Sequence, residues 1–433
     1  MSHAFRFLHA ADLHLDSPFR GLVSLPEPIR GQVRESTFAA LGNLVRAAIA
    51  ERVDFVVLAG DIYDTAERSL RAQLKFRRAT EQLAEHGIAV YVVHGNHDPD
   101  DGRKAKLDWP DTVHTFSSAE VECVPAFDRR GRLVAHVCGR SYPTAAVADD
   151  WSADYKVTRD DVFHIGLLHA NVDGDADHGN YAPCTRRQLA ASGFHYWALG
   201  HIHTRRTLHE DPWIVYPGNT QGRSVRECGA KGCYIVDVTA AGRVSMRFHP
   251  TDALRWFRET VPIDTLRTEQ ELRDAFAAAL ERCRGLAEGR PSFVRLDVEG
   301  RGPLHHALSR GSILQELIDD IREEEARRAE TDAPDFVWIE SIRLATGAEI
   351  DRESILGEQS FRGDMLRYAA ALREDPERAR SFCEEALAPL LAHPKAGRLV
   401  AEMLREEADD LLRAAEELAL GWIADEEAEG FGA

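Results

Sequence analysis

Residues 90–98 read Val-Tyr-Val-Val-His-Gly-Asn-His-Asp. A run of β-branched and aromatic residues stops at a glycine and three polar side chains, the pattern of a buried parallel strand with a turn at its carboxyl end. In open α/β sheets the chemistry gathers outside the carboxyl ends of strands. Asn96, His97 and Asp98 therefore mark an edge to which other strands are expected to contribute.

Two earlier stretches repeat the pattern. Residues 5–10 alternate and end at Asp12-Leu-His14, and residues 54–59 form an apolar run that ends at Gly60-Asp61-Ile-Tyr-Asp64. Helical patterns over 37–51 and 69–85 separate the three strands, so two successive βαβ units predict a parallel α/β core. Less regular strands follow near 121–124, 133–139 and 162–168, the last ending at His169. After a short helix, His195-Tyr-Trp-Ala-Leu199 runs into Gly200-His201-Ile-His203. Residues 213–216, 232–238 and 244–249 read as strands of a second sheet, which predicts an α/β, four-layer αββα sandwich. Around residue 252 a strand–helix–strand–helix–strand module begins, and from 352 the pattern is almost wholly helical. The expected division is a 1–251 catalytic domain, a 252–351 α/β capping domain and a 352–433 helical region. In the last, Leu404, Leu411 and Leu418 fall seven apart beside Ala401, Ala408, Ala415 and Trp422, a seam for another helix, either of its own domain or of a partner coiled coil.

Composition narrows the class. The chain has 433 residues, 44% of them hydrophobic, enough for two or three domains with large cores. Its start lacks a basic segment followed by an apolar run, and no stretch reaches the roughly 18–20 apolar residues a membrane span needs. The seven cysteines are scattered without a Cys-x-x-Cys pair, which points to reduced thiols in a cytoplasmic protein. The net charge of −19 is uneven: residues 1–250 carry 29 Lys+Arg against 31 Asp+Glu, so the acidity belongs to the second half. Divalent cations would turn the first half positive, and a phosphate polymer is not excluded as substrate.

The strand ends together supply Asp12, His14, Asp61, Asn96, His97, Asp98, His169, His201 and His203. Imidazole and carboxylate without thiolate suit Mn²⁺, Fe²⁺ or Zn²⁺ rather than a structural cysteine-bound zinc. A pair of metals about 3.5–4 Å apart needs a bridging ligand, which an aspartate can be. Single Asp-x-His or His-x-His pairs are weak signals; five such elements, each after a strand, are not.

Asp12-x-His14, Gly60-Asp61-x-x-Asp64, Gly95-Asn96-His97-Asp98, His169 and Gly200-His201-x-His203 resemble the five motifs of the calcineurin-like metallophosphoesterases, over roughly residues 1–250. Within that superfamily, Ala10-Ala-Asp-Leu-His-Leu-Asp-Ser-Pro18, His94-Gly-Asn-His-Asp98 and Ala198-Leu-Gly-His-Ile-His203 resemble the SbcD-type DNA repair nucleases of the YhaO-like branch. The resemblance implies one metal on Asp12, His14 and His203 and a second on Asn96, His169 and His201, with Asp61 bridging. It implies His97 over the leaving-group oxygen with Asp98 orienting its ring, and two Mn²⁺ ions that activate a water for in-line attack. It further implies 3′-to-5′ exonuclease and single-strand endonuclease activity on DNA, and an SbcC-like ATPase of the SMC type docked on the C-terminal helices. A homodimer is compatible with it.

Alternatives differ in particular residues. Protein phosphatases of the superfamily carry arginines in the second and third motifs; here Thr65-Ala66 and His94 stand there. Hydrolases of small phosphodiesters and a nonenzymatic DNA-end or ATPase scaffold remain, but a scaffold has no need of His97 beside Asn96. Asp64 reads equally as a helix cap or a partner of the site. The acidic loop Asp173-Gly-Asp-Ala-Asp-His178 reads as surface. Arg71, Lys75, Arg77, Arg78, Arg103, Lys104, Lys106, Arg205 and Arg206 are candidates for phosphate-backbone contacts, or simply solvated. Pro217-Gly-Asn219 is expected to shape a turn beneath the site.

Overall fold

A computed structural model describes every residue except 1–2, 20, 23–24, 65–68, 101–104, 106, 158, 160, 176–177, 311, 332–333, 395, 407 and 431–433. Thr65-Ala66, Arg103, Lys104 and Lys106 thus lie outside the described residues. The first sheet joins β1 (Phe5–Ala10), β2 (Phe55–Ala59), β3 (Ala89–Val93) and β4 (Val113–Thr115) in parallel, with β11 (Gly232–Val238) antiparallel beside β1 and β12 (Val244–Pro250) antiparallel beside β11. The second has the order β5 (Glu122–Phe127), β6 (Leu133–Gly139), β7 (Phe163–His169), β8 (Tyr196–Gly200), β10 (Trp213–Tyr216) and β9 (Arg206–Glu210). Residues 232–238 and 244–249 therefore complete the first sheet, not the second. Their alternation suits either sheet, and only the long-range pairing of Phe5 with Val238 and of Phe7 with Val236 decides.

Between the sheets lies an aromatic-rich core that includes Phe7, Phe55, Tyr91, Phe163 and Tyr196. The outer face of the first sheet is covered by α1 (Glu27–Ala50) and α2 (Leu70–Glu85) through Leu41, Leu44, Phe76 and Leu83. α1 starts ten residues before the expected 37, its proline in the first turn fitting where backbone donors go unused. α2 starts at Ser69, whose hydroxyl accepts from the Ala72 N–H. The second sheet's outer cover is the short α3 (Arg186–Ala191) with loop residues such as Tyr142, Trp151 and Tyr155. Because β1–β3 run parallel, as do β7 and β8, their carboxyl ends share one edge of the sandwich.

Cys123 and Cys138 face each other across β5 and β6, with Cα atoms 4.0 Å apart, and are joined by a disulfide. This corrects the expectation of seven reduced thiols: the pair is made by hairpin register, which a separation of 15 does not announce. The other five cysteines are free.

Strands β13 (Arg255–Pro262), β14 (Ser292–Arg301) and β15 (Val337–Gly347) form a third sheet, with α4 (Glu269–Ala287), α5 (His305–Arg310) and α6 (Ile313–Ala329) between them in sequence. Six helices follow: α7 (Arg352–Gly357), α8 (Phe361–Arg373), α9 (Pro376–Ala386), α10 (Ala388–Leu391), α11 (Gly397–Glu406) and α12 (Ala408–Gly430). Two compact units result. One comprises 1–259, 280–295 and 321–341, and the other 260–279, 296–320 and 342–433. In the second unit α12 packs through Leu412, Glu416 and Leu420. The expected heptad seam is buried only at its start: Leu404 is enclosed and Leu411 packs against the same cluster, but Leu418 and Trp422 are 54% and 65% exposed. No described helix is long and apolar enough to cross a membrane.

Candidate metal centre

Asp12 and His14 follow β1, and Asp61 follows β2. All three, with His201 after β8, take left-handed backbone angles, φ 53°, 44°, 51° and 98°. Such conformations cost of order 1–3 kcal/mol each and persist only where surroundings enforce them. Here the loops after β1 and β2 are laced together: the Asp12, His14 and Leu15 amides donate to the carbonyls of Gly60, Asp61 and Ile62 at 2.9–3.1 Å. Close approach dictates two glycines. A Cβ at Gly60 would lie 2.3 Å from His169 Nδ1, and one at Gly95 2.3 Å from Asp61 Oδ1.

The side chains so placed are buried and face one another. Asp12, His14, Asp61 and His169 are at most 1% exposed. His14 Nε2 and His203 Nε2 are 3.2 Å apart, and ligand atoms of Asp12, His14 and His203 cluster within 4.8 Å. Asn96 Oδ1 lies 3.0 Å from His169 Nε2 and 3.2 Å from His201 Nδ1. Between the two groups sits Asp61, whose Oδ2 is 3.8 Å from His14 Nε2 and 3.4 Å from His169 Nε2.

The donor chemistry fits cations here. A carbonyl or carboxylate can only accept, so the ring nitrogen facing it carries the hydrogen. His169 Nδ1 donates to Ala59 O (2.9 Å), His201 Nε2 to Gly179 O (2.8 Å) and His203 Nδ1 to Glu227 Oε1 (2.6 Å). In their neutral forms, the opposite nitrogens of all three rings turn lone pairs inward, onto an amide oxygen, a second imidazole and carboxylates. Lone pairs converging on lone pairs call for positive charge, and the outer partners are those that orient metal-ligating histidines. Protonation tells the same story. Burial opposes charge on His169, yet Asp61 and Asp12 outweigh it and push its pKa up to about 9; the same pairing holds Asp61 well below the carboxylate range despite burial.

The expectation that Asp98 orients His97 is corrected. Asp98 is fully buried and builds the loop: its carboxylate accepts from the amides of Ile62 (2.9 Å) and Gly95 (2.8 Å) and pairs with His94 Nδ1 (2.9 Å). Those donors take up its carboxylate, and the His97 ring instead meets Asp64 Oδ1 through Nδ1 at 3.2 Å. His97 is placed by its own amide, which donates to Asp61 Oδ1 at 2.9 Å, and its side chain is 38% exposed. Burial opposes protonation of His97, but Asp64 and Asp61 prevail and raise its pKa.

Asp64 and three residues that the sequence reading did not single out, Ser17, Arg223 and Glu227, complete the surroundings. Asp64 Oδ2 accepts from Ser17 Oγ (2.9 Å), and Ser17 Oγ from Arg223 (3.0 Å). The Arg223 amide donates to Glu227 Oε2 at 2.7 Å, and Glu227 holds His203. A polar chain thus runs from His97 to His203. The i, i+4 spacing of Arg223 and Glu227 just after Pro217-Gly-Asn219 is the one signal in the sequence that could draw attention to them. That turn does lie against the site: Gly218 packs on the carbonyl of His203.

The basic candidates are largely engaged elsewhere. Arg71 pairs with Asp16 and Glu35, Arg77 with Glu81, and Arg206 with Asp175, while Arg205 lies over the Phe248 ring. The loop after β7 is no mere surface: His178 and Tyr181 line a cavity of about 250 Å³ with Asp61, Asn96, His97, His201 and His203.

A two-sheet sandwich presenting Asp, Asn and His groups at strand ends is suited to holding divalent cations. A family model described as calcineurin-like phosphoesterase matches residues 5–205, and one described as metallophosphoesterase YhaO, middle domain, matches residues 256–347. The "Uncharacterized metallophosphoesterase YhaO" of Bacillus subtilis (strain 168) is 41% identical over 333 residues, 77% of this chain and 79% of that one. The chain belongs to the calcineurin-like metallophosphoesterase family, with a YhaO-type middle domain, and that family uses a dinuclear metal site. More distant similarity reaches the "DNA double-strand break repair protein Mre11" of Halobacterium salinarum, 29% identical over 54% of this chain and 57% of that protein. It also reaches a component of the nuclease SbcCD of Bacillus subtilis (strain 168), 24% identical over 67% of this chain and 85% of that one.

Proposed function

We propose that the chain is a metal-dependent phosphodiesterase acting on DNA, with Asp12, His14 and His203 holding one divalent cation, Asn96, His169 and His201 the other, and Asp61 shared. The observation that carries this reading is the single Asp61 oxygen lying between two inward-facing imidazole groups. Two cations held there, Mn²⁺ being the choice that the kinship implies, would supply Lewis-acid stabilisation of the phosphate and activation of a water for in-line displacement. The chain's own residues do the rest. His97 has Nδ1 engaged by Asp64, leaving Nε2 to meet the departing oxygen and deliver a proton to it. Glu227, Gly179 and Ala59 fix the tautomers of the ligand rings. Asp98 acts through the backbone, holding the turn that presents Asn96 and His97.

The polymer is assigned by kinship with proteins named for Mre11 and for the nuclease SbcCD, and by His94 standing where phosphatases carry an arginine. A partner ATPase of the SMC type is inferred likewise; the exposed Leu418 and Trp422 on α12 support a helical partner. A panel of linear duplex, single strand, hairpin, cyclic dinucleotide and phosphopeptide with Mn²⁺-loaded protein tests the reading. Nucleotide release from DNA by wild type and its loss in His97→Ala is the expected result. Cleavage of the phosphopeptide alone would overturn it.

A further inference from the structure

His97 borders two openings. One is the cavity over the metal ligands; the other is a cleft of about 640 Å³ that starts at His97, Asp64 and Ser17. The reading above sets His97 beside the departing group, and the second cleft opens at that same side chain with Asp64 and Ser17. Its lining is not that of a duplex groove. Clefts of about 300–1,000 Å³ suit small-molecule ligands, and part of the lining is apolar, from Val225 and from Trp256 stacked on Phe293 at 4.9 Å between centroids.

Three arginines stand in the same lining, and they differ in what they have left to give. The Arg223 guanidinium donates to Ser17 Oγ at 3.0 Å and pairs with Glu227 Oε1 at 3.5 Å. Arg295 reaches Glu340 through two nitrogens at 3.1–3.2 Å. Arg226 is exposed, and its guanidinium makes no hydrogen bond or ion pair among the described residues. The cleft therefore offers apolar walls with one unengaged, bidentate cationic fork. Such a fork matches the geometry of a phosphate, and the walls suit a sugar and base.

We propose that this cleft is the subsite for the departing nucleotide of the substrate, and that Arg226 reads the further phosphate that nucleotide carries. The inference rests on the phosphodiesterase reading above and adds to it a preference for a phosphorylated leaving group. All the residues that line the cleft belong to the first compact unit, so the subsite is built into the same body as the metal centre.

The test compares two dinucleotides in the Mn²⁺-loaded full chain. One is TpT; the other is pTpTp, phosphorylated at both ends so that the departing nucleotide carries a phosphate whichever ester bond breaks. The ratio of kcat/KM for pTpTp over TpT is read within each protein, which cancels any loss of folded fraction. Wild type is expected to favour pTpTp. Arg226→Ala should lower the ratio about tenfold, as expected for one charge-assisted phosphate contact, and Arg226→Glu should lower it further. An unchanged ratio in both variants, with wild type active, overturns the subsite and leaves the phosphodiesterase reading intact. Failure of wild type to hydrolyse either dinucleotide or bis(p-nitrophenyl) phosphate overturns both.

Discussion

The strand-end loops of the first unit and the helices of the second dispose of free energy in opposite ways. Around the candidate metal centre, carboxylates and imidazoles are sunk out of water, and Asp12, His14, Asp61 and His201 hold left-handed backbone angles. Placement there is gained at a local cost in stability. Along α7–α12 the backbone is ordinary and the caps are conventional, as at Ser360 and Asp375. What is unusual is surface: Phe361, Leu399 and Trp422 are 76%, 62% and 65% exposed, while the enclosed clusters are small. Burying one such side chain is worth about 1.5–3 kcal/mol. One region is strained where charge gathers; the other leaves apolar area uncovered.

That contrast can be broken from either side. Asp61→Asn should have the largest effect. Loss of even one preorganised charge-stabilising group costs about 10²–10³ in rate, and a shared ligand should cost at least that in kcat/KM on bis(p-nitrophenyl) phosphate. Activity within tenfold of wild type would mean that Asp61 is not shared. His97→Ala should lower kcat by about 10²–10⁴, the range of general acid catalysis, with two Mn²⁺ still bound by calorimetry. A parallel loss of metal would make His97 a ligand instead. Glu227→Gln is expected to weaken Mn²⁺ affinity about 10–100-fold, as loss of an outer partner of a ligating histidine does; unaltered affinity would detach the polar chain from the centre. The smallest change is in stability. Leu418→Lys and Trp422→Lys should each shift unfolding free energy by no more than about 0.5 kcal/mol, yet abolish capture by an SMC-type ATPase. Marked destabilisation would show that the exposed seam is structural after all.

Much of the centre is legible in the sequence because its signals are local. Each ligand follows a strand, and strand, glycine and polar turn fall within ten residues of one another, as in residues 90–98. What escapes depends on contacts far apart in the chain. Glu227 meets His203 across 24 positions, and Arg223 meets Ser17 across 206. Asp98 misleads for the same reason: it sits next to His97, but backbone donors from the loop after β2 claim its carboxylate. Register has no local signature either, so alternation alone puts β11 and β12 in the wrong sheet and leaves the Cys123–Cys138 link invisible. In α12 the heptad count is present in the letters, but burial follows Leu412, Glu416 and Leu420.

The chain of contacts from His97 through Asp64, Ser17, Arg223 and Glu227 to His203 has a consequence for how this protein can change. Its two ends are the candidate general acid and a candidate metal ligand, while its links come from three separate stretches of polypeptide. Adaptation to a new leaving group cannot be confined to the neighbourhood of His97, since any shift of Asp64 is passed through Ser17 and Arg223 to a ligand's partner. Directed evolution for altered substrates should accordingly recover paired changes, one near residue 64 and another near 17 or 223–227, where single changes fail.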